Sequence, residues 1–163
     1  MDSAMIKTFF AEWHTVIGPL LSLVIGVLTL IVLYLQIRTT KELKRADILQ
    51  GFNARYDRLW DIQHNPSTVE EPQTFYTRFW SLQLDQFVQW RDGYINQKDY
   101  RVWLLQRRGD FQAKSAFKGV ASSDGWEAAK KEIAASPAFV ALIERLRDPM
   151  ADLEAAMKNA KRE

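Results

Sequence analysis

The sequence predicts an all-α protein: one N-terminal transmembrane helix followed by a small cytoplasmic helical bundle. Three observations carry this. Residues 16–37 hold no charged side chain, and fifteen of these 22 residues are Leu, Ile or Val. Basic residues gather on the C-terminal flank of that stretch, at Arg38, Lys41, Lys44 and Arg45. Beyond them, apolar and aromatic residues recur at helical spacing between breaks marked by Pro and Gly.

A helix of 22 residues is about 33 Å long, against a hydrocarbon core of about 30 Å. Each Leu, Ile or Val contributes roughly −0.3 to −0.6 kcal/mol to insertion at the helix centre. Together they outweigh Pro19, Ser22, Thr29 and Gln36. The length argues against a buried soluble helix. The leader MDSAMIKTFFAEWH is not basic, and the exit QIRTTKE has no small-x-small site. Both argue against a cleaved signal peptide.

The flanks set the orientation. Lys7 is the one basic side chain before the span, accompanied by Asp2 and Glu12. Four follow it closely, so the positive-inside rule places the C-terminal side in the cytoplasm and the N-terminus outside a cell (inner) membrane. Trp13 and Tyr34 stand where interfacial aromatics belong. Gly18, Ser22 and Gly26 repeat every fourth residue. A small-residue face of this kind lets two membrane helices approach closely, which makes it a candidate homo-oligomer contact. Pro19 is expected in the first turns, where it bends the start of the helix at little cost.

The expected division is a tail (1–15), the span (16–37), a helical domain (38–147) and a C-terminal helical or frayed tail (148–163). Of 22 Lys/Arg and 20 Asp/Glu, all but Lys7, Asp2 and Glu12 lie from Arg38 onward. That balance argues against a specific nucleic-acid partner. There is no cysteine, which excludes disulfides and Cys-ligated metal sites. The two histidines, His14 and His64, are far apart along one helical stretch, so a His-based metal cluster is not expected. Six Trp, five Tyr and nine Phe supply a core for a small domain.

Residues 38–64 read as a helix that can continue the span. Ile48, Leu49, Phe52, Tyr56, Leu59 and Trp60 are placed toward a core, and Arg55, Asp57, Arg58 and Asp61 toward water. The KELKR turns are expected against anionic headgroups. Asn65-Pro66 ends this helix, and NPSTVEEPQ is a loop with Glu70-Glu71 at a solvated tip. A helix from about Thr74 to Gly93 carries Tyr76, Phe79, Trp80, Leu84, Phe87, Trp90 and Tyr94 on its apolar face, with Asp85 in water. Gly93 suits a C′ position. Asn96 suits an N-cap, with Asp99 completing a variant of the capping box.

The next helix turns Tyr100, Trp103, Leu104 and Phe111 inward, and Gly109 is a candidate break. Between Arg91 and Lys118 seven Lys/Arg face three Asp, a basic stretch open to a phosphate-bearing ligand. GVASSDG reads as a loop in which Ser123 or Asp124 caps WEAAKKEIAA. Ser136-Pro137 opens AFVALIERLR, with Phe139, Leu142, Ile143 and Leu146 on one face. Asp148-Pro149 stops it, leaving a thin apolar edge at Met150, Leu153 and Met157 that frays or pairs with another chain.

No Walker loop, GxGxxG, HExxH or GxSxG occurs. No catalytic, cofactor-binding or metal-ligating residue is therefore assigned, and no cofactor is expected. The span, the ILQGFNARYDRLW helix, FWSLQLDQFVQWRDGYINQKDYRVWL and the FVALIERLRD helix together give a layout covering most of the chain. It resembles an uncharacterised bacterial family of small single-span membrane proteins with a cytoplasmic helical domain. The resemblance implies that architecture and carries over no functional residue. The leading functional expectation is a membrane-anchored interaction or regulatory module whose partners are the lipid bilayer and an unidentified protein. The alternatives are a membrane-acting effector of a phage-defence or toxin system and, third, a cryptic hydrolase.

Overall fold

The computed structural model describes residues 3–65, 67–113, 116–133 and 136–162, with side chains described from Ile17 onward. Among these are six helices and one short hairpin: α1 (Ser3–His64), α2 (Pro72–Arg91), α3 (Gln97–Gln112), β1 (Ala116–Phe117), β2 (Val120–Ala121), α4 (Ser122–Ala129), α5 (Pro137–Leu146) and α6 (Leu153–Ala160). The chain forms two units, residues 1–44 and residues 45–163.

The first unit is helical from Ser3 and is long and apolar enough to cross a membrane. No side chain from Ile17 to Lys44 is buried. Pro19 lies inside α1 rather than in its first turns, a difference from the sequence expectation that follows from the early helix start. The expectations on the side chains of Lys7, Trp13 and His14 fall outside the described residues, as does the Pro66 half of the predicted stop signal. Helix α1 does end at His64, next to Asn65.

The second unit is built on aromatic packing. Trp80, Trp90, Trp126, Tyr100, Phe87 and Phe139 are among its fully buried side chains. Trp90 stacks on Tyr100 at 4.7 Å between ring centroids, and Trp80 meets Trp126 at 4.8 Å. Rings this large bury about 150–250 Å² each, which is how a small unit acquires enough apolar area to fold. Helix α2 packs most extensively on α4 and α5 on α6, while α3 touches α2, α4 and α5.

Local chemistry explains most boundaries. Pro72 occupies the first turn of α2, where its missing N–H costs nothing. Gly93 takes φ +84° just after α2. Its N–H donates to Trp90 O, and the Tyr94 N–H donates to Gln89 O, a Schellman closure that needs a left-handed residue at C′. Asn96 caps α3 by accepting from the Asp99 N–H at 2.7 Å. The Asp99 carboxylate pairs with Arg45 rather than completing a capping box.

Several expectations are corrected. Trp60 is exposed and stacks on His64 at 3.9 Å, because the inward stripe of α1 runs through Phe52, Tyr56 and Leu59. Tyr94 sits at the surface beyond the end of α2. Glu70 is no free tip: it pairs with Arg78 at 3.0 Å. Gly109 neither breaks nor ends α3, since one glycine costs only about 1 kcal/mol in a helix interior. The GVASSDG stretch is not a loop. Lys118 and Gly119, at φ +48° and +81°, make the tight turn of the hairpin, and α4 starts at Ser122 with no side-chain cap. Ser136 precedes Pro137 at the start of α5, as expected, but makes no capping bond. The last helix, α6, is packed on α5 with Leu153 and Met157 buried, so only Met150 remains of the proposed free edge.

Candidate functional site

The residues singled out from sequence separate into different environments. Gly18, Ser22 and Gly26 are all exposed on α1. Ser22 Oγ donates to the Gly18 carbonyl at 2.9 Å, and a Cβ added at Gly18 or Gly26 would meet nothing within 4 Å. Arg38 pairs with Glu42 at 3.2 Å, one turn on. Lys41 and Lys44 are exposed. Arg45 belongs to the second unit and is held by Asp99. The four flanking cations are therefore two exposed lysines, one cation in a helical pair and one structural tie.

The basic stretch from Arg91 to Lys118 does not converge. Arg101 pairs with Glu154 at 2.9 Å, and Arg108 donates to the Ala151 carbonyl at 2.9 Å. Lys118 donates to the Glu70 carbonyl at 2.9 Å. Arg107 is turned inward and buried. Arg101 and Arg108 tie α3 to residues 149–154, Lys118 holds the hairpin to residue 70, Arg107 lies in the core, and Lys114 lies outside the described residues.

Arg107 leads to the feature that sequence reasoning missed. Only four polar residues are buried among the described residues: Gln83, Gln86, Arg107 and Ser122. The first three line one pocket of about 190 Å³, formed by residues 52–56 of α1 with α2 and α3. Phe52, Tyr56 and Trp103 supply its aromatic walls, and Asn53 and Gln106 bring two more carboxamides to its rim. The guanidinium lies 4.7 Å from the Phe79 ring centroid and donates to Tyr56 Oη at 3.1 Å. Asp110 faces it at 3.2 Å, and burial pushes the Asp110 carboxyl up while Arg107 pulls it down. A signal was present in the sequence. Arg107 occupies the core slot of the series Tyr100, Leu104, Arg107, Phe111, and Gln83 the same slot between Trp80 and Phe87.

A larger open groove of about 750 Å³ runs between the start of α2 and α4, past Glu71, Thr77, Asp124 and Glu132. Glu132 is already engaged there, accepting from Thr77 Oγ1 at 3.0 Å and from Gln73 Nε2 at 3.5 Å. Tyr76 Oη at its floor donates to Val120 O at 2.8 Å and accepts from the Phe117 N–H at 3.2 Å, and burial raises its pKa. The Tyr76 ring lies on Gly125, where an added Cβ would come within 2.2 Å of it.

Helices α4 and α5 are joined by a charged network. Trp126 Nε1 donates to Glu144 at 2.8 Å, Lys130 pairs with Glu144 at 3.1 Å, and Arg147 bridges Glu144 and Glu127. Burial alone would raise the Glu144 pKa, but hydrogen bonds from Trp126, Lys130 and Arg147 outweigh it and hold the carboxyl below its usual range. The Lys130 hydrogen bond, with that of Arg147, depresses Glu127 likewise. His64 Nδ1 lies 2.9 Å from the Trp60 carbonyl. Among the described residues no three His, Cys, Asp or Glu side chains are placed to hold a metal ion. No protein-family model, curated protein or solved structure matches the chain, so the layout resemblance stands on the sequence pattern alone.

Proposed function

We propose that this chain is a membrane-tethered helical interaction or regulatory module. Residues 16–37 cross a cell inner membrane and hold the helical bundle at the cytoplasmic face, where it engages a partner protein. One observation carries the reading: α1 is apolar around its whole circumference from Ile17 to Ile37, and none of those side chains is buried. A core helix of a soluble protein would bury most of that surface. Monomeric soluble proteins rarely leave more than a few hundred Å² of contiguous apolar area in water. Hydrocarbon accepts the helix because its backbone polar groups bond internally, and Ser22 and Thr29 hydroxyls return to the Gly18 and Ile25 carbonyls.

The exposed Lys41 and Lys44 favour an anionic cytoplasmic leaflet by on the order of 1 kcal/mol each. Tethering then raises the local concentration of the helical bundle without demanding high affinity for its partner. The span carries no ionisable residue at bilayer depth except Tyr34, which makes it a poor conducting wall. The test is crosslinking and affinity capture from alkali-washed native membranes, paired with a dye-leakage assay on overexpression. The expected result is an integral membrane protein that captures a specific partner without leakage. Extraction by alkali would overturn the tether, and rapid leakage would favour a membrane-acting effector instead.

A further inference from the structure

We infer that the pocket around Gln83, Gln86 and Arg107 is a binding site for a small planar heterocycle of the nucleobase class. This inference is independent of the membrane tether. Burying a carboxamide or a guanidinium is costly unless its hydrogen bonds are met. Here three such side chains, all at most 5 % exposed, are brought to one place. Gln86 Oε1 and Arg107 Nε have no protein partner. Trp80, Trp90 and Tyr100 also hold unpaired polar atoms, but each is the tip of a large ring whose burial in the aromatic core is itself favourable. Arg45 Nε, Arg108 Nε and Glu70 Oε1 lack a hydrogen bond as well, on side chains that are only partly buried, and Glu70 keeps its ion pair with Arg78. A glutamine or an arginine buried beside a pocket has no such compensation.

The chemistry of the lining narrows the ligand. Four carboxamides face the pocket, from Asn53, Gln83, Gln86 and Gln106, and each offers a donor and an acceptor side by side. Such groups match the paired donor and acceptor edge of a base, the geometry by which Asn and Gln read adenine. Arg107 is the one charged residue in the lining, and Asp110 already faces it. A multiply charged phosphate would lack cations to pair with. Phe52 and Trp103, edge to face at 6.0 Å, give aromatic surface for a flat ring. The 190 Å³ volume corresponds to about six waters at liquid density, or a ligand of on the order of ten non-hydrogen atoms.

The experiment uses the full chain in detergent micelles. The four common free bases, their nucleosides and glucose are titrated by calorimetry, and thermal unfolding is followed in parallel. At least one base should bind with one-to-one stoichiometry and raise the melting temperature. Gln106→Ala, at the exposed rim, should weaken binding several-fold without changing the melting temperature of the free protein. Gln86→Leu should weaken it more than tenfold while leaving the free protein at least as stable, since a buried polar group is exchanged for an apolar one. A nucleoside binding as well as its base names the nucleoside as the source, and exclusion of the nucleoside names the free base. Failure of every base and nucleoside to bind overturns the assignment. So does binding unaffected by both variants, or glucose binding that shows the same dependence on them.

Discussion

The stretch from Ile17 to Ile37 and helix α5 are both rich in Leu, Ile, Val and Ala or Gly, yet they meet opposite fates. Nothing in the first is buried, whereas Ala138, Phe139, Leu142, Ile143 and Leu146 of α5 are all inside. The difference is periodicity. In α5 the apolar residues fall at i, i+3, i+4 and i+7, leaving Arg145 and Ala141 outward, so one protein face covers them. In α1 the apolar residues occupy nearly every position of the stretch, and covering one face would leave the others in water. An apolar solvent surrounding the helix on all sides resolves that conflict. Composition alone does not separate the two helices; pattern and length do.

Substitutions should act on the two regions in different currencies. The largest effect is expected from Trp80→Ala. Trp80 is 1 % exposed and packs on Phe111 and Trp126. Its loss should cost about 3–5 kcal/mol, readable as a lowered denaturant midpoint, with membrane association unchanged. Leu28→Lys should do the reverse. A lysine at the centre of a span costs roughly 2.5–3.5 kcal/mol on the insertion scale. Its variant should shift toward the alkali-extractable fraction while the helical unit keeps its melting temperature. If Leu28→Lys lowers that melting temperature as much as Trp80→Ala does, the stretch is packed as core and the contrast fails.

Gly125→Ala is a finer probe. The Tyr76 ring leaves no room for a methyl group, so overpacking should cost about 1–3 kcal/mol. The same change at Gly26, where nothing lies within 4 Å, should leave the helical unit's melting temperature untouched. Thermal unfolding of both variants checks the pair.

Acidification should give the smallest effect and leave residues 16–37 untouched, because they contain no carboxylate. Glu144 and Glu127 are depressed in the folded state, so their contribution is present above the usual carboxylate pKa and is lost as pH falls through their folded values. Asp110, raised by burial, acts with the opposite sign and offsets part of this. Melting temperature should therefore fall as pH drops below the carboxylate range, and Glu144→Gln should flatten that slope. Burial also raises Tyr100 above the ordinary tyrosine value, which removes stability as pH climbs past that value.

The all-helical class, the apolar first helix, the end of α2 and the start of α3 were legible because each rests on local signals: composition, Gly93, Asn96. Helix α2 starts two residues earlier than the sequence pattern places it, with Pro72 read as part of the preceding loop, and the end of α3 at Gln112 carries no Gly or Pro signal of its own. The hairpin at Lys118-Gly119 was not legible, since its two-residue strands carry no period and a Lys-Gly pair is an uncommon turn dipeptide. Capping Ser and Asp signals drew the start of α4 too late, because Tyr76 and the hairpin fix that end through tertiary contacts. Of the candidate site, Arg107 and Gln83 stand in core slots that periodicity marks. Their convergence with residues 52–56 depends on a long-range packing that no single-helix pattern encodes.

The central claim is that α1 spans a bilayer with the helical unit on the cytoplasmic side. A dual reporter fused after Glu163, active either in the cytoplasm or outside it, tests this most directly. The account predicts cytoplasmic activity in a membrane fraction resistant to alkali, and a mixed orientation once Arg38, Lys41, Lys44 and Arg45 are all replaced by Gln. Reporter activity outside the cytoplasm, or cytoplasmic activity recovered in the soluble fraction, would contradict it.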